Sequence, residues 1–246
     1  MIPKIIHYCW FGGKSKPKEA IKCIKSWKKY CPNYEIREWN ETNFDINSCV
    51  YVKEAYEQKK WAFVSDYARF WILFNYGGLY FDTDVELIKP IDDIVEKGPF
   101  MGIEDVCGEL DNGYEIAVAP GLGLAANPKQ SLYGEIIEKY KNLRFLDDTG
   151  KYNGKTVVHH VTELLKENGL IAQDNIQTIK GITIYPKDFF CPLDYKTGKL
   201  NITDNTRSIH WYSASWQSPI SRIKTKVKNI IGEKMSNSLK KIIRKQ

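Results

Sequence analysis

The stretch from Trp61 to Pro90, WAFVSDYARFWILFNYGGLYFDTDVELIKP, constrains this chain more than any other. Trp61, Val64, Tyr67, Ala68, Trp71, Ile72 and Asn75 recur at three- and four-residue steps, which predicts a helix. Gly77 and Gly78 stop it, as glycine does just past a helix end. Leu79 to Phe81 is a short run of strand formers. Asp82, Thr83 and Asp84 follow, then a second strand-like run, Val85 to Ile88, closed by Pro90. The expected order is helix, glycine turn, strand, acid pair, strand.

Residues two apart on a strand share a face, so Asp82 and Asp84 are expected side by side. A bound divalent cation would relieve their repulsion. Hard oxygen ligands suit Mg²⁺ or Mn²⁺, which also grip substrate phosphates. An Asp-x-Asp pair alone is an ordinary pair of solvated acids, so context carries the argument. Ser65, Asp66 and Arg69 lie on one side of the preceding helix. An Asp and an Arg beside a carboxylate pair suit recognition of a sugar or a phosphate.

Ser65-Asp66-x-x-Arg69, then Gly77-Gly78-x-Tyr80-x-Asp82-x-Asp84, resembles the core motif of Asp-x-Asp sugar transferases, glycosyltransferase family 32. The glucosyltransferase domains of large glucosylating toxins carry a related motif. The opening I-P-K-I-I-H-x-x-W is similar to the family's first strand, where the nucleotide base and ribose are held. That implies a stacking role for Trp10. Near the other end, His210 followed by Ser215-Trp216 resembles the family's last motif. The resemblance implies an α/β, GT-A-like (Rossmann-like) fold with a mixed, mainly parallel sheet flanked by helices. It implies Asp66, Arg69, Asp82 and Asp84 as catalytic residues. It implies Mn²⁺ or Mg²⁺ on Asp82, Asp84 and His210, and donor contacts from Trp10, Ser65, Asp66, Arg69, Tyr80, Asp82, Ser215 and Trp216. It further implies transfer of a hexose from a nucleotide sugar, UDP before GDP, with retention of configuration. The implied acceptor is a surface polysaccharide or lipid-linked oligosaccharide. Retention leaves open a carboxylate nucleophile or a front-face displacement; Glu104, Asp105 and Glu115 are the candidate acids.

The rest of the chain reads as α/β. Lys4 to Trp10 is a buried, central strand, broken by Phe11-Gly12-Gly13. Lys18 to Tyr30 is an amphipathic helix with Ile21, Ile24, Trp27 and Lys28 on neighbouring faces, and Tyr34 to Trp39 alternates as a half-exposed strand. Strand, helix and strand make a βαβ unit and hence a parallel sheet. Residues 41 to 60 lead helically into the core helix. Phe100 to Asp105 is a strand. Ile116 to Asn127 is a further strand rich in small residues, with a glycine bulge as the plain alternative to a sugar-facing role. Helices follow from Pro128 to Leu143, with Leu132, Ile136, Ile137 and Tyr140 inward, and from Val157 to Asn168. At most one of His159 and His160 can face a site. Ile182 to Pro192 sets prolines about aromatics.

The 246 residues fit one α/β domain, 1–218, plus a tail, 219–246. The tail has nine Lys or Arg against one Glu, a net +8, which leaves −2 for the other 218 residues. Ile220, Ile223, Val227, Ile230, Ile231, Met235, Leu239 and Ile242 recur at helical steps opposite these cations. That predicts a basic amphipathic helix and peripheral attachment to an anionic membrane, on the cytoplasmic face. The tail has no aromatics to stack on bases, which argues against nucleic acid. The six cysteines lack Cys-x-x-Cys pairing and read as reduced core thiols of a cytosolic protein. No signal peptide is expected, since a strand begins almost at Met1. A non-catalytic, metal-dependent sugar- or phosphate-binding module is the alternative to an enzyme. Glycoside hydrolysis fits poorly, because its two carboxyl groups stand roughly 5–10 Å apart across a sugar.

Overall fold

The computed structural model describes residues 1–106, 115–152, 155–195 and 197–213. Its strands are β1 (Ile5–Cys9), β2 (Glu35–Trp39), β3 (Gly78–Tyr80), β4 (Val85–Leu87), β5 (Phe100–Val106), β6 (Ile116–Val118), β7 (Leu124–Ala126), β8 (Gln177–Ile179), β9 (Ile182–Tyr185) and β10 (Ser208–His210). Its helices are α1 (Lys18–Tyr30), α2 (Val50–Glu57), α3 (Trp61–Tyr76), α4 (Asp92–Val95), α5 (Ser131–Lys141), α6 (Val157–Glu167) and α7 (Lys187–Phe190). The large sheet has the order β2-β1-β3-β7-β5-β9-β8, with β6 paired to β5. Strands β2, β1, β3, β5 and β9 run one way, and β7, β6 and β8 the other.

Alternation along these strands splits the core into two layers. Cys9, Tyr80, Met101, Ile103, Leu124 and Ile184 join the layer of α2, α3, α5 and α6. Their neighbours Tyr8, Leu79, Phe81, Phe100, Ala125 and Tyr185 join the layer that holds α1, α4 and α7. Helix α3 lies over the sheet centre and buries Val64, Ala68, Phe70, Ile72 and Leu73 completely. Each large apolar side chain here contributes about 1.5–3 kcal/mol. The expected βαβ unit is present: β1 and β2 pair in parallel from Ile5↔Glu35 to Cys9↔Trp39, bridged by α1. β3 joins the other side of β1 in the same direction. The carboxyl ends of β1, β2 and β3 therefore share one edge, where open α/β sheets bind ligands.

Helix α1 buries Ala20, Cys23, Ser26 and Trp27 and leaves Ile21 42 % exposed. Three expectations need correction. β1 is one strand in from the sheet edge rather than central, because β2 is the last strand on that side. Residues 116–127 form two strands, β6 and β7, joined by a turn through Pro120 to Gly123. Proline lacks the ladder N–H, and Gly123 takes φ +142°, so one strand cannot run through. Finally, Asp82 and Asp84 do not share a strand face. β3 ends at Tyr80, the Asp82 N–H donates to the Gly121 carbonyl, and the Val85 N–H donates to the Asp82 carbonyl. The acids thus sit in a turn. β4 leaves the large sheet and pairs antiparallel with β10 alone, His210 opposite Val85.

Among the described residues Cys9, Cys23, Cys31, Cys49 and Cys191 are free thiols. No described helix is long and apolar enough to cross a membrane. The tail 219–246 and its boundary with the body, together with Ser215 and Trp216, lie outside the described residues.

Candidate active site

Three elements build the site: α3, the turn after β3, and the end of β10. Arg69 anchors the first two. It is 3 % exposed, and α3 holds it one turn beyond Ser65, whose carbonyl accepts from Arg69 Nε at 3.1 Å. Its Nη2 lies 2.9 Å from Asp66 Oδ1 and 3.3 Å from Asp82 Oδ1. Its Nη1 donates to Asp82 Oδ2 at 3.4 Å. The guanidinium also covers the Tyr80 ring, 4.9 Å from its centroid. Burial opposes the Arg69 charge, but Asp82, Tyr80 and Asp66 overcome it and raise its pKa.

Asp66 is 7 % exposed, and burial pushes its carboxyl up to about 7 against the pull of Arg69. It also accepts the backbone N–H of Val157, the first residue of α6. Thr156 makes no side-chain cap there, so Asp66 caps α6 from another helix. Asp66 is therefore a strut between α3, α6 and Arg69. Tyr80 is 1 % exposed and donates its hydroxyl to Asp82 Oδ1 at 3.2 Å. Tyr80 thus meets Asp82 through its hydroxyl and holds that carboxyl in orientation. The Ser65 hydroxyl is turned back onto the Trp61 carbonyl at 3.1 Å.

Asp82 keeps 31 % of its side chain exposed, and burial raises its pKa, with Arg69 opposing and Asp84 adding to the rise. Gly121 makes this position possible, because a Cβ there would stand 2.2 Å from Asp82 Oδ2. Asp84 faces the other way. Its Oδ1 is 3.2 Å from His210 Nε2, and its Oδ2 accepts Ser213 N–H at 2.9 Å and Ser213 Oγ at 3.1 Å. Burial would raise the Asp84 pKa, but His210 and Ser213 outweigh it and hold the carboxyl at about 2. Burial lowers the His210 pKa; Asp84, Asp82 and Glu104 outweigh it and raise the group.

Glu104, on β5, closes the far side. Burial raises its pKa, while His210 and a hydrogen bond with Tyr212 pull it down. Tyr212 packs its ring, tilted by 48°, with its centroid 4.2 Å from that of His210, meets Cys191 Sγ through its hydroxyl at 2.9 Å, and takes φ +48°. A bulky residue at positive φ carries strain that the contacts around it must hold. Asp105 pairs instead with Lys187, and Glu115 is exposed. Trp10 stands at the carboxyl end of β1, half-buried, its Nε1 donating to the Lys14 carbonyl at 2.6 Å. It lines a pocket with Gly13, Lys16, Glu38, Asn40 and Thr42. His160 is buried with neither ring nitrogen bonded, against Tyr140.

The structure thus gathers Asp66, Arg69, Tyr80 and Asp82 in one frame and Asp84 and His210 in a second. Reading the sequence missed Gly121, Ser213 and Tyr212. Gly121 carries a signal only in its small-residue run, whereas Ser213 and Tyr212 stand inside the His210–Trp216 motif. The donor chemistry of a carboxylate and an imidazole in contact fits a hard divalent cation. Asp84 and His210 would hold it, with Asp82 alongside. Among the described residues no three His, Cys, Asp or Glu side chains form a ready cage, because Asp82 is turned to Arg69. Such a site leaves coordination positions for substrate oxygens and water.

Residues 17–101 match the family "Glycosyltransferase sugar-binding region containing DXD motif". This stretch resembles a DXD-type glycosyltransferase region. The region contains Asp66, Arg69, Tyr80, Asp82 and Asp84, while His210 and Ser213 lie outside it. The chain is 34 % identical over 110 residues to an uncharacterized glycosyltransferase of Acanthamoeba polyphaga mimivirus, covering 41 % of this chain and 43 % of that protein. It is 26 % identical over 111 residues to an inositol phosphoceramide mannosyltransferase of Schizosaccharomyces pombe, covering 41 % of this chain and 33 % of that one. The chain therefore matches less than half the length of these relatives. Among solved structures, a glycosyltransferase involved in glycosylation of the major capsid of PBCV-1 aligns with TM-score 0.48 at 13 % identity, over 87 % of this chain and 95 % of the other. The galactosyltransferase LgtC, in complex with donor and acceptor sugar analogs, aligns with TM-score 0.47 at 15 % identity, over 86 % and 88 %.

Proposed function

We propose that this chain is a metal-dependent, retaining hexosyltransferase of the GT-A type. It moves a sugar from a nucleotide sugar, a UDP-sugar by preference, to a hydroxyl of a surface-polysaccharide or lipid-linked glycan on the cytoplasmic side of a membrane. One observation carries this reading: Asp84 and His210 meet at the carboxyl edge of the sheet, beside an Asp82 clamped by buried Arg69. A divalent cation, Mn²⁺ or Mg²⁺, would neutralise charge on the departing nucleoside diphosphate. Asp84 and His210 hold the position where that charge develops, and Ser213 and Tyr212 fix their orientation. Arg69 opposes the rise that burial imposes on the Asp82 pKa and keeps the carboxyl aimed, and Asp66 keeps Arg69 in place against α6. Trp10 offers its ring to the nucleotide base at the end of β1, where stacking is worth roughly 1–3 kcal/mol. Of the acids expected as nucleophile, Glu104 stands beside His210, while both routes to retention stay open.

The test is donor hydrolysis without acceptor, across UDP- and GDP-sugars, in Mn²⁺ and in EDTA. Slow, metal-dependent release from one donor supports the transferase. Nucleotide and Mn²⁺ binding with no turnover in the presence of any glycan acceptor would instead establish a binding module.

A further inference from the structure

The outward face of α1 stands apart from the rest of the surface. Lys18, Ile21, Lys22, Lys25, Lys28 and Lys29 are all exposed, and steps of three and four put them on one side of the helix. From Lys18 to Lys29 that stripe extends about 17 Å. Between residues 14 and 29 there are seven Lys and one Glu, a net +6. Residues 1–218 sum to −2, so the remainder of that span carries −8. The cations are concentrated here rather than spread. Lys22 pairs with Glu86 at 2.9 Å, while Lys18, Lys25 and Lys28 have no carboxylate partner among the described residues.

The stripe is not purely ionic. Ile21 is 42 % exposed at its middle, and with the stems of Lys18, Lys22 and Lys25 it lines a shallow cup. Trp211 is 39 % exposed at its edge, with Lys22 Nζ 5.6 Å from its ring centroid. The Trp211 indole N–H donates to Glu86 at 2.8 Å, and its backbone N–H donates to the Asp84 carbonyl at 3.0 Å. The surface therefore abuts the candidate active site through β4 and β10.

We propose that this face, Lys18 to Lys29 with Ile21 and Trp211, docks on an anionic bilayer. Lysine stems lie along apolar surface while their heads reach anionic headgroups, and tryptophan sits at such an interface. The stripe offers point charges and aliphatic carbon but no Asn, Gln or Arg fork for sugar hydroxyls, which disfavours an acidic glycan as occupant. The reading extends the proposed function by presenting the acid edge toward the membrane plane, and it stands independently of turnover.

The test uses the full chain in cosedimentation with phosphatidylcholine vesicles, with and without phosphatidylserine. Binding is expected only with phosphatidylserine and should fall as salt rises. The triple variant Lys18→Gln, Lys25→Gln, Lys28→Gln should bind about 100-fold more weakly, from roughly 1 kcal/mol per lysine. Ile21→Asp should weaken binding with every lysine in place. Both variants should keep the parent's circular dichroism and donor hydrolysis. Parent-like vesicle binding by both variants would place attachment in residues 219–246 and overturn the proposal. Absence of binding by the parent would overturn it too, as would loss in the variants of affinity for a sulfated glycan alone. Donor hydrolysis absent from the parent would count against the transferase reading and leave the vesicle result standing.

Discussion

At the scale of single residues, the site depends on one missing methyl group. Gly121 passes Asp82 so closely that alanine would push the carboxylate off Arg69. Gly121→Ala should lower transferase turnover by about 100-fold, the usual result of displacing a reacting group by an ångström. Its melting temperature should stay near the parent's; a parent-like rate would show that Asp82 tolerates the shift. A second residue-scale prediction concerns acid. His7 is fully buried, its Nε2 3.0 Å from the Gly77 carbonyl and its Nδ1 accepting Trp39 Nε1–H at 3.0 Å. Burial lowers its pKa from 6.5 to about 4, and does the same to His160. Between those values the unfolded chain binds more protons than the folded one, so stability rises with pH across that window. Each histidine's contribution is complete above pH 6.5 and is lost as pH falls toward 4, about 3 kcal/mol apiece. His160 has no bonds to lose. His160→Phe should therefore flatten the fall in melting temperature between neutral and acid pH; a curve parallel to the parent's would refute that assignment.

At the scale of elements, Gly78 is where helix α3 becomes strand β3. It holds φ +96°, and a Cβ there would meet the Ile5 carbonyl at 2.7 Å, inside the β1–β3 pairing. Gly78→Ala should cost about 2–4 kcal/mol and lower the melting temperature by roughly 5–15 °C. A loss of under a degree would mean the strands can part locally. This junction was legible in the sequence because it rests on local rules: helical spacing in Trp61 to Asn75, a glycine stop, then strand formers. The boundaries of α1 were legible for the same reason. What local rules miss is set by distant partners. The β6–β7 turn forms because β7 fits between β3 and β5, and strand alternation fails at Asp82 because Gly121 takes its N–H. Asp84 stood out as a candidate site acid from its motif. Its bond to Ser213 was not, since nothing within reach in sequence announces it.

At the scale of the whole molecule, the two frames of the site should respond differently to a cation. Arg69, Asp66 and Asp82 satisfy one another around a fixed guanidinium, whereas Asp84 is held by His210 and Ser213, an imidazole and a hydroxyl that a cation could replace or share. Mn²⁺ should therefore bind the folded chain and raise its melting temperature, by roughly 5–10 °C at a hundredfold excess over Kd. EDTA should reverse the rise, and Asp84→Asn should abolish it; a shift that survives Asp84→Asn would place the cation elsewhere. The pairing of β4 with β10 has a further consequence, for the life of the molecule before it works. Asp84 and Ser213 are 129 positions apart. Closing so long a loop is entropically costly and slow. A nascent chain leaving the ribosome amino end first can assemble the Arg69 clamp long before His210 is synthesised. On the proposed reading, competence waits on β10, and a product interrupted before Ser208 would lack His210 and Ser213.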